Sequence, residues 1–305
     1  MMLFVLSKEK RRAFLAAFRS FWLNLWRFWV SLCIKMEENM RKFGLIFAAA
    51  VVLVTLSCAT TGPGGKKDLI LISDSQENGL GLEFDKQVRT ESKILDDAQW
   101  QSYFNEMGQR IVAVSDRKEI EYHFTVIESD DINAFATPGG YVYIYTGLLK
   151  LMDSEAQLAA VTSHEISHVV ARHGVKRLQQ ALGISILLEI VSGKSDSQTL
   201  QTAIGLGLSV ALSGYSRSNE READRFGIHY MSLAGYNPKG VIDMFEKLAS
   251  VSEGKRNFFE NMMATHPETQ ERIQNAKSQL AEFSQDVLTR DTGAARYKEL
   301  KSRLK

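Results

Sequence analysis

His164-Glu165-Ile166-Ser167-His168 decides how this chain of 305 residues is read. In a helix, residues four apart share a face, so the two imidazoles can hold one cation while Glu165 turns toward the same cavity. Leu158, Ala159 and Val161 precede the motif in register and Val169 and Val170 follow it, so the helix faces a core. Two buried imidazoles and a carboxylate with nothing to bind would be costly, and a metal removes that cost. One Zn2+ per chain is the expected cofactor, with Glu165 placed to deprotonate a water that the ion activates.

Zinc needs a third protein ligand. The only cysteines, Cys33 and Cys58, precede the body of the chain, so the body offers no thiolate and no internal disulfide. No histidine stands where an HExxHxxGxxH pattern would need one; His173, five residues past His168, reads as pointing off the shared face. The run Ser216-Arg217-Ser218-Asn219-Glu220-Arg221-Glu222-Ala223-Asp224 supplies the alternative. Glu220 and Asp224 lie four apart on one helical face and Glu222 turns aside. Glu220 is then the third ligand with His164 and His168, and Asp224 accepts the far N–H of a ligating imidazole. Glu165 and Asp224 are the residues expected to serve catalysis. Arg172, His173 and Arg221 are expected to pair with Asp224, Glu222 or a helix end.

Charge divides the chain. Residues 1–57 carry nine Lys/Arg against three acidic residues; the remaining 28 basic and 33 acidic residues leave the body mildly negative. Nothing in that balance suggests a nucleic-acid footprint, and no nucleic-acid partner is expected. From Met40 a basic start, an apolar run over 43–56, then Ser57 and Cys58 have the layout of an export signal, too short for the roughly 20 residues of a membrane span. This segment resembles a bacterial lipoprotein signal in which Cys58 is lipidated, although Thr55 and Leu56 depart from the usual pattern; an uncleaved anchor and a buried apolar helix are the alternatives. Residues 1–39 hold Trp22, Trp26 and Trp29 among arginines, a gene-model extension or a basic amphipathic segment.

Within the body, residues 83–114 have helical spacing, and 122–127, 134–137 and 141–145 alternate as three short strands around a Pro138-Gly139-Gly140 turn. Asp153 or Ser154 can cap the helix that carries the motif. The apolar runs 175–190 and 201–212 are too interrupted for membrane spans, and Gly205 and Gly207 point to close helix packing. Residues 219–233, 239–248 and 268–283 read as further helices. The expected division is 40–57 signal peptide, 58–80 tether, 81–286 catalytic domain and 287–305 polar C-terminal helix.

Four motifs, Asn133-Ala134-Phe135-Ala136-Thr137-Pro138-Gly139-Gly140, HEISHVVARHG (164–174), EREADRFG (220–227) and Ala264-Thr265-His266-Pro267 with Arg272, resemble the zinc metallopeptidases of the HtpX and CaaX-prenyl-protease type. Within that family the chain is most similar to the soluble BepA- and LoiP-like members of the bacterial envelope, over residues 97–276. The resemblance implies an α+β, mainly helical, gluzincin-like fold with a small sheet beside the HExxH helix. It matches His164, His168 and Glu220 to the zinc ligands and Asp224 to their supporting aspartate. It also implies an endopeptidase on the periplasmic side of the membrane, an outer-membrane lipoprotein acting on unfolded or misfolded envelope polypeptides. An envelope chaperone or assembly factor with secondary proteolysis is the alternative.

Three residues stand open as the donor that meets the oxyanion: His266, Arg272 and Tyr215. His266, by the same resemblance, could instead occupy the open metal position and hold the enzyme latent. Asn133, Ala134, Phe135 and Ala136 are expected to form an exposed edge strand to which substrate adds as a further strand. The Gly-Gly turn beside it would allow close approach to the active helix. Oligomeric state is not legible.

Overall fold

The computed structural model describes residues 63–65, 70, 72–252 and 270–304, together with 23, 24, 26 and 27. The signal segment, Cys58 and His266 lie outside the described residues. Residues 1–58 and 59–305 form separate compact units, and the motifs of the catalytic body all belong to the second.

The described helices of this second unit are α1 (Asp74–Glu91), α2 (Ala98–Val112), α3 (Thr146–Leu151), α4 (Glu155–Val170), α5 (His173–Leu182), α6 (Ile184–Val191), α7 (Ser197–Ala211), α8 (Arg217–Leu233), α9 (Gly240–Ser252), α10 (Gln270–Leu280), α11 (Gln285–Leu288) and α12 (Ala294–Lys301). The strands are β1 (His123–Ile127), β2 (Ala134–Thr137) and β3 (Tyr141–Tyr145). Sheet order is β1-β3-β2, with β1 parallel and β2 antiparallel to β3. The fold is α+β and mainly helical, as the sequence leads one to expect.

The sheet is apolar on both faces because helices cover both. Alternation sends Phe124, Val126, Ala134, Ala136, Val142 and Ile144 to a core shared with α2, α4 and α8. The intervening Ile127, Phe135, Tyr141 and Tyr143 join α1, α5, α6 and α7. Helix α4, which carries the motif, therefore runs through the centre of this unit; Ser154 caps it by accepting from the Gln157 backbone N–H. Among the described residues no helix is long and apolar enough to cross a membrane.

Several expectations need correction. The helix read over 83–114 is two helices, and the first starts at Asp74, inside the stretch read as tether. Ser73 and Gln76 close a reciprocal capping box there. The break at 92–97 is made by Ile94, which bridges to Ile127, and by Asp97, which caps α2. The strand β2 lies at the edge of the sheet, yet it is not exposed: Asn133, Ala134, Phe135 and Ala136 are all buried, with α4 and α7 packed on the strand. Gly139 makes its close approach to the backbone of α1 rather than to α4. Gly207 is tight against Phe84 as expected, whereas Gly205 has open space beside it.

The polar C-terminal helix is present, but it buries Tyr297 and Leu300. Tyr297 is fully buried, packs edge-on against Trp100, and donates from its hydroxyl to the Leu149 carbonyl at 2.8 Å. The Thr292 carbonyl accepts from the Ala156 backbone N–H at 3.0 Å, in the first turn of α4. Lys301 donates to the Met152 carbonyl at 2.6 Å. Residues 289–304 thus strap the start of the motif helix. Tyr297→Ala is expected to cost about 3–5 kcal/mol, as for other buried aromatics, read as a lower midpoint in urea unfolding; an unchanged midpoint would show that the strap adds nothing.

Candidate metal centre

Helices α4 and α8 pack lengthwise, and Gly227 sets how closely: a Cβ there would sit 3.1 Å from the His164 backbone nitrogen. Ser216 caps α8 through the Asn219 backbone N–H, which starts the helix so that Glu220 falls in its first turn and Asp224 one turn on. Both carboxylates then face His164 and His168.

His164, His168 and Glu220 each bring one donor atom into a cluster whose members lie within 4.8 Å of one another. The two imidazole Nε2 atoms are 3.1 Å apart. Glu220 Oε2 is 3.5 Å from His164 Nε2, and Glu220 Oε1 is 3.4 Å from His168 Nε2. Zinc–nitrogen and zinc–oxygen bonds of about 2.0–2.1 Å at tetrahedral angles require donor separations of about 3.3–3.4 Å. The set fits a tetrahedral cation. Glu165, in the same helix between the two imidazoles, is 2% exposed.

Electrostatics agree with the geometry. Arg272 grips Asp224 with two hydrogen bonds of 2.7 Å and reaches Glu220 Oε2 at 2.9 Å. Two carboxylates share that one guanidinium, and the negative surplus falls on the imidazoles. Burial alone would push His164 down, but hydrogen bonds and charge from Asp224 and Glu220 outweigh it and raise the group to about 10. His168 is held well below its usual value, by burial first and also by the His164 charge. His164 Nδ1 lies 3.0 Å from Asp224 Oδ1, so that nitrogen donates, and in the neutral ring Nε2 would offer its lone pair to a metal.

Residues 98–280 match the profile of peptidase family M48. The chain belongs to this family. It is 31% identical over 217 residues to the β-barrel assembly-enhancing protease of Yersinia pestis, covering 68% of this chain and 44% of that protein. It is similarly 31% identical over 182 residues to the mitochondrial metalloendopeptidase OMA1 of Schizosaccharomyces pombe, 59% of this chain and 53% of that one. The metalloprotease LoiP of Escherichia coli is 30% identical over 162 residues, 52% of this chain and 63% of LoiP. The chain therefore spans less than half the length of the assembly-enhancing relative it matches.

The M48 site of this chain sharpens the sequence reading at two residues. Arg272, open as an oxyanion donor, is committed to Glu220 and Asp224. His173 stays out of the three-donor cluster and pairs with Glu222 at 3.2 Å, as expected, but it is fully buried behind His168, with the two Nδ1 atoms 2.9 Å apart. Tyr215 stacks on His168 with centroids 4.0 Å apart, and the Arg177 guanidinium lies 5.1 Å from the centre of the tyrosine ring. Burial, then the charge of Glu165, raises the Tyr215 phenol, which stays protonated.

A buried ion cluster at the far end of α4 was not foreseen. Glu77 accepts from Arg117 at 3.1 and 2.8 Å and pairs with Arg172 at 2.8 Å, and Arg117 also donates to the Val169 carbonyl. The Gly139 N–H completes the shell of Glu77. These partners lie 40 or more residues apart in sequence, beyond the reach of a local pattern.

Removing the Arg272 charge with Arg272→Met should destabilise the metal-free protein by about 3–5 kcal/mol, the cost of leaving buried carboxylates without their partner. Added zinc should recover part of the loss. Urea unfolding with chelator and with zinc checks both; equal midpoints for parent and variant would remove Arg272 from this role.

Proposed function

We propose that this M48 chain is a zinc-dependent metalloendopeptidase of the bacterial cell envelope that cleaves unfolded or misfolded polypeptides. The observation that carries the reading is the three-donor cluster with tetrahedral spacing, built on the helix that also buries Glu165. His164, His168 and Glu220 would hold the ion. Bound there, zinc supplies Lewis acidity toward the scissile carbonyl and lowers the pKa of water. Glu165 takes the proton from the attacking water and passes it to the leaving amine. Asp224 and Arg272 act through the ligands they orient. Tyr215, neutral and seated over His168, is the residue proposed as oxyanion donor.

The envelope assignment rests on the export-signal layout ending at Cys58 and on a relative named for β-barrel assembly. Lipidation at Cys58 would tether the domain to the membrane surface. The strand over 134–136, unpaired with any further strand among the described residues, is the edge proposed to take a substrate strand.

Casein cleavage by parent protein, Glu165→Gln and chelated protein tests the chemistry. Glu165→Gln should keep one zinc per chain and lose about 10²–10⁴-fold in kcat/KM; cleavage at the parent rate would exclude Glu165 as the base. Equal protection of an unfolded client by all three, without cleavage, would instead favour an assembly factor. Tyr215→Phe should lower kcat with zinc affinity unchanged, and a loss confined to KM would take the oxyanion role from Tyr215.

A further inference from the structure

His173 should lie far from the metal face. In a continuous helix, a residue five positions past His168 is rotated by about 140° from it. The chain avoids this by ending α4 at Val170 and passing through Arg172 in the left-handed region, φ 52, the one non-glycine with positive φ among the described residues. Arg172 offsets the strain of that conformation by pairing with Glu77 and by donating to the Ile72 carbonyl at 2.9 Å. The turn restarts the helix at His173 and folds its ring back under His168.

We propose that His173 and Glu222 form a proton-bearing relay that fixes the tautomer and ring orientation of His168. The protons can be placed only one way if His168 is a ligand. His168 Nε2 faces Glu220 and His164 Nε2 and must carry a lone pair. Its proton is therefore on Nδ1, which donates to His173 Nδ1 at 2.9 Å. His173 then carries its own proton on Nε2 and donates it to Glu222 Oε2 at 3.2 Å. The two ligating histidines are thus oriented differently: His164 by a carboxylate directly, His168 by a carboxylate acting through a second imidazole. Glu222, which turns away from the metal face of α8, reaches the site by this route. His173 and Glu222 are positioning residues and touch neither metal nor substrate.

The relay rests on the proposed zinc site, and the two fail differently. Zinc affinity is measured on the full chain by competition with a chromophoric chelator, alongside thermal unfolding of the chelated protein. His173→Leu removes the acceptor and is expected to weaken zinc binding by about 10–100-fold. His173→Asn returns an acceptor oxygen near the Nδ1 position and is expected to recover most of it, which a role in packing alone would not produce. Parent affinity in His173→Leu, or equal weakening in both variants, would overturn the relay. If His173→Leu does not fold, Glu222→Ala decides, since its residue lies at the end of the relay: weaker zinc binding supports it and unchanged binding overturns it. A parent chain that binds no zinc would overturn the site itself.

Discussion

Everything at the centre depends on two carboxylates of one helix meeting two imidazoles of another. Asp224 meets His164 directly, Glu220 lies between both rings, and Arg272 joins the two carboxylates from behind. Such a pairing is expensive to bury unless every charge has a partner. Close approach at Gly227, capping at Ser216 and the packing of α8 along α4 all serve to bring those groups within bonding distance. The site is thus a property of a helix pair, and the remaining elements hold that pair in place.

Both ends of α4 are fastened by parts of the chain remote in sequence. At its start, the segment containing Tyr297 closes over the first turn and supplies the Thr292 carbonyl. At its end, Arg117 holds the Val169 carbonyl while Glu77 and Asp74 together balance Arg117 and Arg172. The same ion cluster stabilises the left-handed Arg172, so the anchor for the helix end also supplies the turn that returns His173 to the site. Fixing both ends limits how far His164 and His168 can shift relative to Glu220, which is what a preorganised metal site requires.

The parts legible in the sequence are those governed by local periodicity. Four-residue spacing placed His164 with His168 and Glu220 with Asp224, and two-residue alternation found all three strands. What escaped was set by long-range contact or by backbone reversal. Ile94 and Leu95 keep helical spacing with their neighbours although Ile94 pairs with a strand. Tyr297 stands in a polar run whose composition hides one deeply buried ring. The pairing of His173 with Glu222 was legible, but its contact with His168 was not, because Arg172, a residue with no special liking for positive φ, takes the turn that glycine usually takes. The burial of β2 likewise depends on α7, whose packing no strand pattern can announce.

The proposal that helix α8 completes a metal site begun on α4 is tested most directly by anomalous scattering at the zinc edge from crystals of the zinc-loaded chain. One zinc peak per chain is expected, about 2.0–2.2 Å from His164 Nε2, His168 Nε2 and one oxygen of Glu220. A peak bonded to His173 or Asp224 in place of one of these, or zinc held without Glu220, would contradict a site shared in this way between the two helices.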